Sequence, residues 1–147
     1  MGNKASLTGK LIYTARLCRT ARAELLLTHG LYAGQDILLK SLSEEDGQTM
    51  GSLATNLGVK PPTVTKMVTR MESQGLVRRE GSQYDSRINH VFITPAGTAL
   101  LGKVDDAWEA AELAAFTGLK DKDEKRLHKI LDRVLSELDG KYEPAQD

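Results

Sequence analysis

Four breaks between residues 48 and 94 constrain this chain more than any other feature. Gly58, the pair Pro61-Pro62, Gly75 and the turn Gly81-Ser82-Gln83 exclude a long helix and cut the stretch into short pieces. Thr49 to Leu57 reads as a short helix capped by Thr49 and broken at Gly58. Pro61 and Pro62 suit the first turn of a second helix, where a missing N–H costs nothing, and Thr63 to Gln74 continues it until Gly75. Leu76 to Glu80 and Arg87 to Thr94 read as the strands of a hairpin, with Val91 and Ile93 alternating inward. Two short helices joined by a four-residue turn form the helix-turn-helix pattern. Ala54 is small enough for the two helices to approach, Gly58 allows the turn, and Val59, Val64 and Met67 seal a small core.

Long amphipathic segments flank this block. Leu7, Leu11, Thr14, Cys18, Ala21 and Leu25 recur at steps of four and three, one stripe of a long helix that Gly30 ends. A second helix is expected over 33–42, followed by the charged turn 43–47. Pro95 opens an Ala-rich helix to about Phe116, with Leu100, Val104, Ala107, Trp108 and Ala111 among its apolar set. Asp121 and Glu124 resemble a capping box ahead of a last helix. There Leu127, Ile130, Leu131, Val134, Leu135 and Leu138 make one apolar face, and a polar tail follows from Lys141. The expected fold class is α+β, mainly α. Residues 48–94 form one lobe, and 1–47 with 95–147 form a helical dimerisation region. The stripe of the first helix has few neighbours in so short a chain, so a second subunit is expected to cover it.

Composition narrows the function classes. With 40% hydrophobic and 27% charged residues a globular core is expected, and 5% aromatics beside abundant Leu and Ala favours helices. The formal net charge is zero, yet residues 48–94 carry six basic and three acidic side chains, while 95–147 carry eight and twelve. For nucleic acid a local basic surface matters more than the sum. Cys18 is the one cysteine, so no intrachain disulfide is possible. No apolar run has membrane-spanning length, and the Gly2-to-Ser6 lead, though formally compatible with acylation, reads as a short disordered segment. A cytoplasmic location without membrane contact is expected. His29, His90 and His128 lack metal-ligand spacing, and no nucleophile–base set or phosphate loop is present, so neither metal, cofactor nor enzymatic activity is expected.

The second helix of the block turns Val64, Met67, Val68 and Met71 to one side and Pro62, Thr65, Lys66 and Thr69 to the other, flanked by Thr63 and Arg70. Short hydroxyls fit a major groove, Lys66 and Arg70 bring charge, and arginine can read guanine with two hydrogen bonds. The helix N-terminus would add free N–H groups for phosphate. A solvated surface face would leave the choice of three threonines unexplained, since they are mediocre helix formers.

The run Pro61-Pro62-Thr63-Val64-Thr65-Lys66-Met67-Val68, with Arg70-Met71-Glu72 and Gly75-Leu76-Val77-Arg78-Arg79, resembles the recognition helix and first wing strand of MarR-type regulators. Asp85-Ser86-Arg87, then Val91, Ile93 and Thr94, is similar to that family's Asp-x-Arg wing motif and second strand, and Leu119 to Leu138 resembles its closing helix. The resemblance implies a homodimeric winged helix-turn-helix repressor of nearby genes, bound to double-stranded DNA and often released by a phenolic or aromatic acid. It also implies that Arg87 is presented to the minor groove, where Asp85 can orient the guanidinium by a charge-assisted bond. By themselves the two residues would make only a surface ion pair. Arg79, Ser82, Gln83 and Ser86 are candidate backbone contacts. Two recognition helices would enter successive major grooves of a pseudo-palindromic site, about 34–36 Å apart.

For a small-molecule effector, Tyr13, Arg16, Arg19, His29 and Trp108 could supply aromatic walls and a carboxylate clamp, although each also suits packing or surface. Cys18 has arginines nearby in sequence but lies on the apolar stripe, and peroxide-sensing relatives carry their cysteine earlier. Two rivals stay open: a constitutive or redox-responsive DNA-binding regulator, and a dimeric protein-interaction scaffold.

Overall fold

The computed structural model describes residues 5–142. Met1 to Lys4 of the lead and residues 143–147 of the polar tail lie outside the described residues. Helix α1 (Leu7–Thr28) starts where the Ser6 hydroxyl accepts a bond from Gly9 N at 3.0 Å. It ends as Gly30 turns to φ +73° and Leu31 N returns to Leu26 O. Helix α2 (Gln35–Glu44) begins two residues later than the periodicity suggests. Gly34 stands before it at φ +97°, with its N–H held by the Asp36 carboxylate at 3.0 Å.

Strand β1 (Gln48–Thr49), helix α3 (Met50–Leu57) and helix α4 (Pro61–Ser73) follow, then strands β2 (Val77–Gly81) and β3 (Asn89–Ile93). The Thr49 hydroxyl accepts from Ser52 N at 3.1 Å, and Gly58 closes α3 in the left-handed region at φ +64°. The sheet is antiparallel in the order β1-β3-β2, with Arg79 opposite Val91 and Gln48 opposite Val91 on the other side. Two residues carry no period, which is why β1 is invisible in the sequence.

The expected single helix from Pro95 is instead two, α5 (Pro95–Ala99) and α6 (Leu101–Phe116). At Leu100 the backbone tightens, its N–H reaching Gly97 O at 3.1 Å in a three-residue turn. Gly97 is packed so closely that a Cβ would fall 2.2 Å from Leu76 O, so only glycine lets α5 sit against the entry to β2. Helix α7 (Asp121–Leu138) also departs from expectation: Lys120, not Asp121, is its N-cap, and no side chain caps it. Asp121, Asp123 and Glu124 lie in the first turn, where their charge opposes the positive helix end.

The core joins α2, α3, α4, the sheet and α6 through Leu38, Leu39, Leu42, Leu53, Val64, Val68, Met71, Val91 and Val104, all at 1% exposure or less. Fully burying each such side chain is worth roughly 1.5–3 kcal/mol. The stripe proposed for α1 is not buried within the chain: Leu7 is 82% and Leu11 42% exposed, and Cys18 is half-buried. Only Gly9 and Leu26 of α1 are buried, and α7 buries nothing.

Candidate nucleic-acid interface

Helix α4 presents three faces. Val64, Val68 and Met71 anchor it in the core. Met67, Arg70 and Gln74, one i, i+3, i+7 line, meet the corner between α1 and α2. Pro62, Thr65, Lys66 and Thr69 are exposed on the remaining face, and Thr63 is half-buried beside them. The Thr65 hydroxyl donates to Pro61 O at 3.1 Å, which leaves its oxygen able to accept. The start of the helix differs from the sequence reading. Pro61 and Pro62 have no N–H, and Thr63 N and Val64 N both bond to Lys60 O, at 3.0 and 3.3 Å. The first turn of α4 therefore offers no free N–H to a phosphate; only its dipole and nearby side chains remain.

The charges of residues 48–94 are distributed in a way the sequence does not reveal. Each of its three carboxylates holds an arginine: Glu72 with Arg79, Glu80 with Arg78, and Asp85 with Arg87. Its other three cations, Lys60, Lys66 and Arg70, have no carboxylate partner among the described residues, and all three sit on or at the start of α4. Arg70 instead stacks on Tyr32, its guanidinium carbon 4.3 Å from the ring centre.

Arg79 is drawn back toward α4. Its Nη2 donates to Glu72 Oε1 at 3.1 Å and to Thr69 Oγ1 at 3.2 Å, and its backbone N–H donates to Glu72 Oε2 at 3.0 Å. The Arg79 side chain beside it, then that backbone N–H, hold the Glu72 carboxyl below its usual range. Arg79 thus fastens β2 to α4.

The loop from Ser82 to Ile88 forms the wing. Ser82 N donates to Ile88 O at 2.8 Å, and the Ser82 hydroxyl accepts from Tyr84 N and Asp85 N. The Asp85 carboxylate receives three bonds from Arg87, from its backbone N–H at 3.0 Å and from Nε and Nη2 at 3.1 Å each. The guanidinium, then the backbone N–H, lower the Asp85 pKa, and the carboxylate raises that of Arg87. The Arg87 side chain remains 87% exposed, oriented yet reachable. Gln83 and Ser86 are exposed on the same loop. Ser82 serves the loop's own backbone. Tyr84, unmarked in the sequence reading, is 98% exposed; an aromatic between two wing polar residues was the available signal.

The five effector candidates are spread over different parts of the fold. Tyr13, Arg16 and Arg19 are exposed on α1, and His29 is half-buried just past its end. Trp108 donates from Nε1 to Asp36 Oδ2 at 2.8 Å beneath the Arg22 guanidinium, which ties α1, α2 and α6 together. It also lines a groove with Ile37, Lys40 and Gln48 that includes none of the other four. Asp36, at 2% exposure, was missed because a carboxylate early in a helix normally signals only a surface cap. His29, His90 and His128 lie apart, and no three potential metal ligands cluster among the described residues.

Residues 31–88 match the model of the MarR family. Over 85 residues, 58% of this chain and 44% of the other, the sequence is 34% identical to the HTH-type transcriptional regulator TtmR of Methylorubrum extorquens (strain PA1). It is 29% identical over 98 residues to the HTH-type transcriptional repressor IacR of Pseudomonas putida, covering 67% of this chain and 59% of IacR. The chain thus spans about half the length of these curated relatives. The fold is similar to that of mutant MarR from E. coli complexed with operator DNA, with a TM-score of 0.78 and 24% identity over 90% of this chain and 96% of that one.

Proposed function

We propose that the chain is a transcriptional regulator of the MarR family, whose model residues 31–88 match, and that it binds duplex DNA as a homodimer and represses transcription by occupying a pseudo-palindromic operator. One observation carries the DNA contact: the cations left over after local pairing, Lys60, Lys66 and Arg70, lie on and at the start of α4, with the wing Arg87 held open by Asp85. In this reading α4 enters the major groove with Thr65, Lys66 and Thr69 toward the bases, and Arg87 enters the adjacent minor groove. Residues 48–94 act as the DNA-binding lobe, and 1–47 with 95–147 as the dimerisation region. The exposed apolar residues of α1 and α7 support the second copy. No helix among the described residues is long and apolar enough to cross a membrane, and the proposed place of work is the cytoplasm.

Release by an aromatic acid is the proposed regulation. The groove beside Trp108 supports it by an aromatic wall, although the Lys40 ammonium in that groove is paired with Asp105 at 2.6 Å and a ligand carboxylate would have to displace that partner. Such a ligand acts only by its differential affinity for the two lobe spacings. The test is a gel shift on DNA upstream of the gene. Lys66→Ala and Arg87→Ala are each expected to weaken binding at least tenfold, and affinity is expected to fall steeply with salt. Wild-type binding by both variants would withdraw the site assignment, whereas no shift of any duplex by the wild type would favour the protein-interaction scaffold.

A further inference from the structure

Arg70 differs from the other arginines of residues 48–94 in what holds it. Arg78, Arg79 and Arg87 are held by carboxylates, which use up guanidinium N–H donors, Arg78 while also lying over Phe92, whereas Arg70 has no carboxylate partner among the described residues and lies on the face of Tyr32. A stacked guanidinium satisfies its flat face and leaves the N–H groups on its edge able to grip a planar acceptor. The backbone that carries this support is held by hydrogen bonds and packing. Tyr32 lies in the corner between Gly30 and Gly34, both at positive φ. Its N–H donates to Gln35 Oε1 at 3.0 Å, and Gln35 Nε2 donates to Gln74 Oε1 at 2.6 Å. Met67 fills the space beside Gly34, its Cε 3.3 Å from where a Cβ would stand. Met67 and Arg70 of α4 and Gln74, the residue that caps its C-terminus, thereby meet the corner that leads out of α1. Their line is not the exposed Pro62, Thr65, Lys66 and Thr69 face, so an arginine held on it flanks a groove in which that face is seated.

We propose that Arg70 is a phosphate clamp and not a base reader, with Tyr32 as the residue that positions it. This rests on the DNA-binding reading above. It assigns the arginine to affinity and register, and it makes the α1–α2 corner part of the DNA-binding apparatus although the corner itself touches no base.

The experiment measures binding of the full chain to a randomised duplex pool across a salt series, and sequences the bound fraction. Arg70→Ala is expected to weaken binding about tenfold across sequences, to leave the selected consensus unchanged, and to reduce the salt slope by about 0.9 for each subunit bound. Tyr32→Leu is expected to weaken binding about two- to fivefold, Tyr32→Phe to match wild type, and Tyr32→Leu to add nothing in the Arg70→Ala background. Loss of preference at one base pair, or an unchanged affinity and slope, in Arg70→Ala overturns the clamp, and an unchanged affinity in Tyr32→Leu overturns its positioning by Tyr32, while DNA binding stands. Should Tyr32→Leu not fold, the Arg70→Ala slope and consensus still decide. If wild type retains no duplex even at low salt, the DNA-binding reading fails and the clamp with it.

Discussion

At Asp85 a single carboxylate organises the wing. It accepts the Arg87 backbone N–H and two guanidinium N–H groups, so the chain is pinched at the same place that aims the side chain outward. Both effects depend on ionisation. The folded pKa of Asp85 lies below its unfolded value, so this contribution is complete above the unfolded value, near 3.9, and is lost as pH falls through the lower folded one. Glu72, lowered by Arg79, follows the same direction. An NMR titration should place the Asp85 carboxyl midpoint below that of an aspartate in the unfolded chain. Arg87→Gln should return it to the ordinary range; an unchanged midpoint in that variant would remove Arg87 as the cause. Asp85-Ser86-Arg87 was legible as a pair from spacing two, because side chains that close in sequence meet whatever the rest of the fold does. The attachments of Arg79 to Glu72 and of Arg70 to Tyr32 were not, since each joins different elements.

At the scale of elements, the short strand β1 has the largest consequence for its size. Gln48, 4% exposed, donates from Nε2 to Ser41 O and Glu45 O at the end of α2, and its Oε1 accepts from Asn56 Nδ2 at 2.8 Å on α3. One side chain thus secures the α2–α3 junction while its backbone extends the sheet under β3. Gln48→Ala would remove the side-chain partners of the Glu45 carbonyl and the Asn56 amide, while Ser41 O keeps its bond from Glu45 N, and a cost of about 1–3 kcal/mol is expected in chemical denaturation. A change below about 0.5 kcal/mol would show that water replaces the amide. Cap chemistry was readable where one residue decides it, as at Thr49 before α3 and Gly58 after it. It was misread at α7, where Asp121 is already helical and its neighbours, not its type, set the boundary.

For the whole molecule the apolar surface left over is the main fact. Leu7, Leu11, Ile12 and Leu17 on α1, with Ile130, Val134, Leu135 and Leu138 on α7, are each at least 37% exposed. So much apolar surface on two helices of opposite chain ends is characteristic of an interface and not of a solvated face. Val134→Glu combined with Leu135→Glu is expected to convert a dimer to a monomer in light scattering and to abolish high-affinity duplex binding. A monomeric wild type at micromolar concentration would end the homodimer proposal.

The sequence by itself determined the breaks at Gly30, Gly58 and Gly75, the cap at Thr49 and which face of α4 is apolar. Glycine, proline and capping side chains act on their own backbone, and helical period is a local property. Tertiary structure alone decided which cations remain uncompensated and that Trp108 is tied to Asp36. Each of those outcomes depends on which groups approach through space, and the free energy of a hydrogen bond or ion pair is realised only once packing has brought both partners within reach.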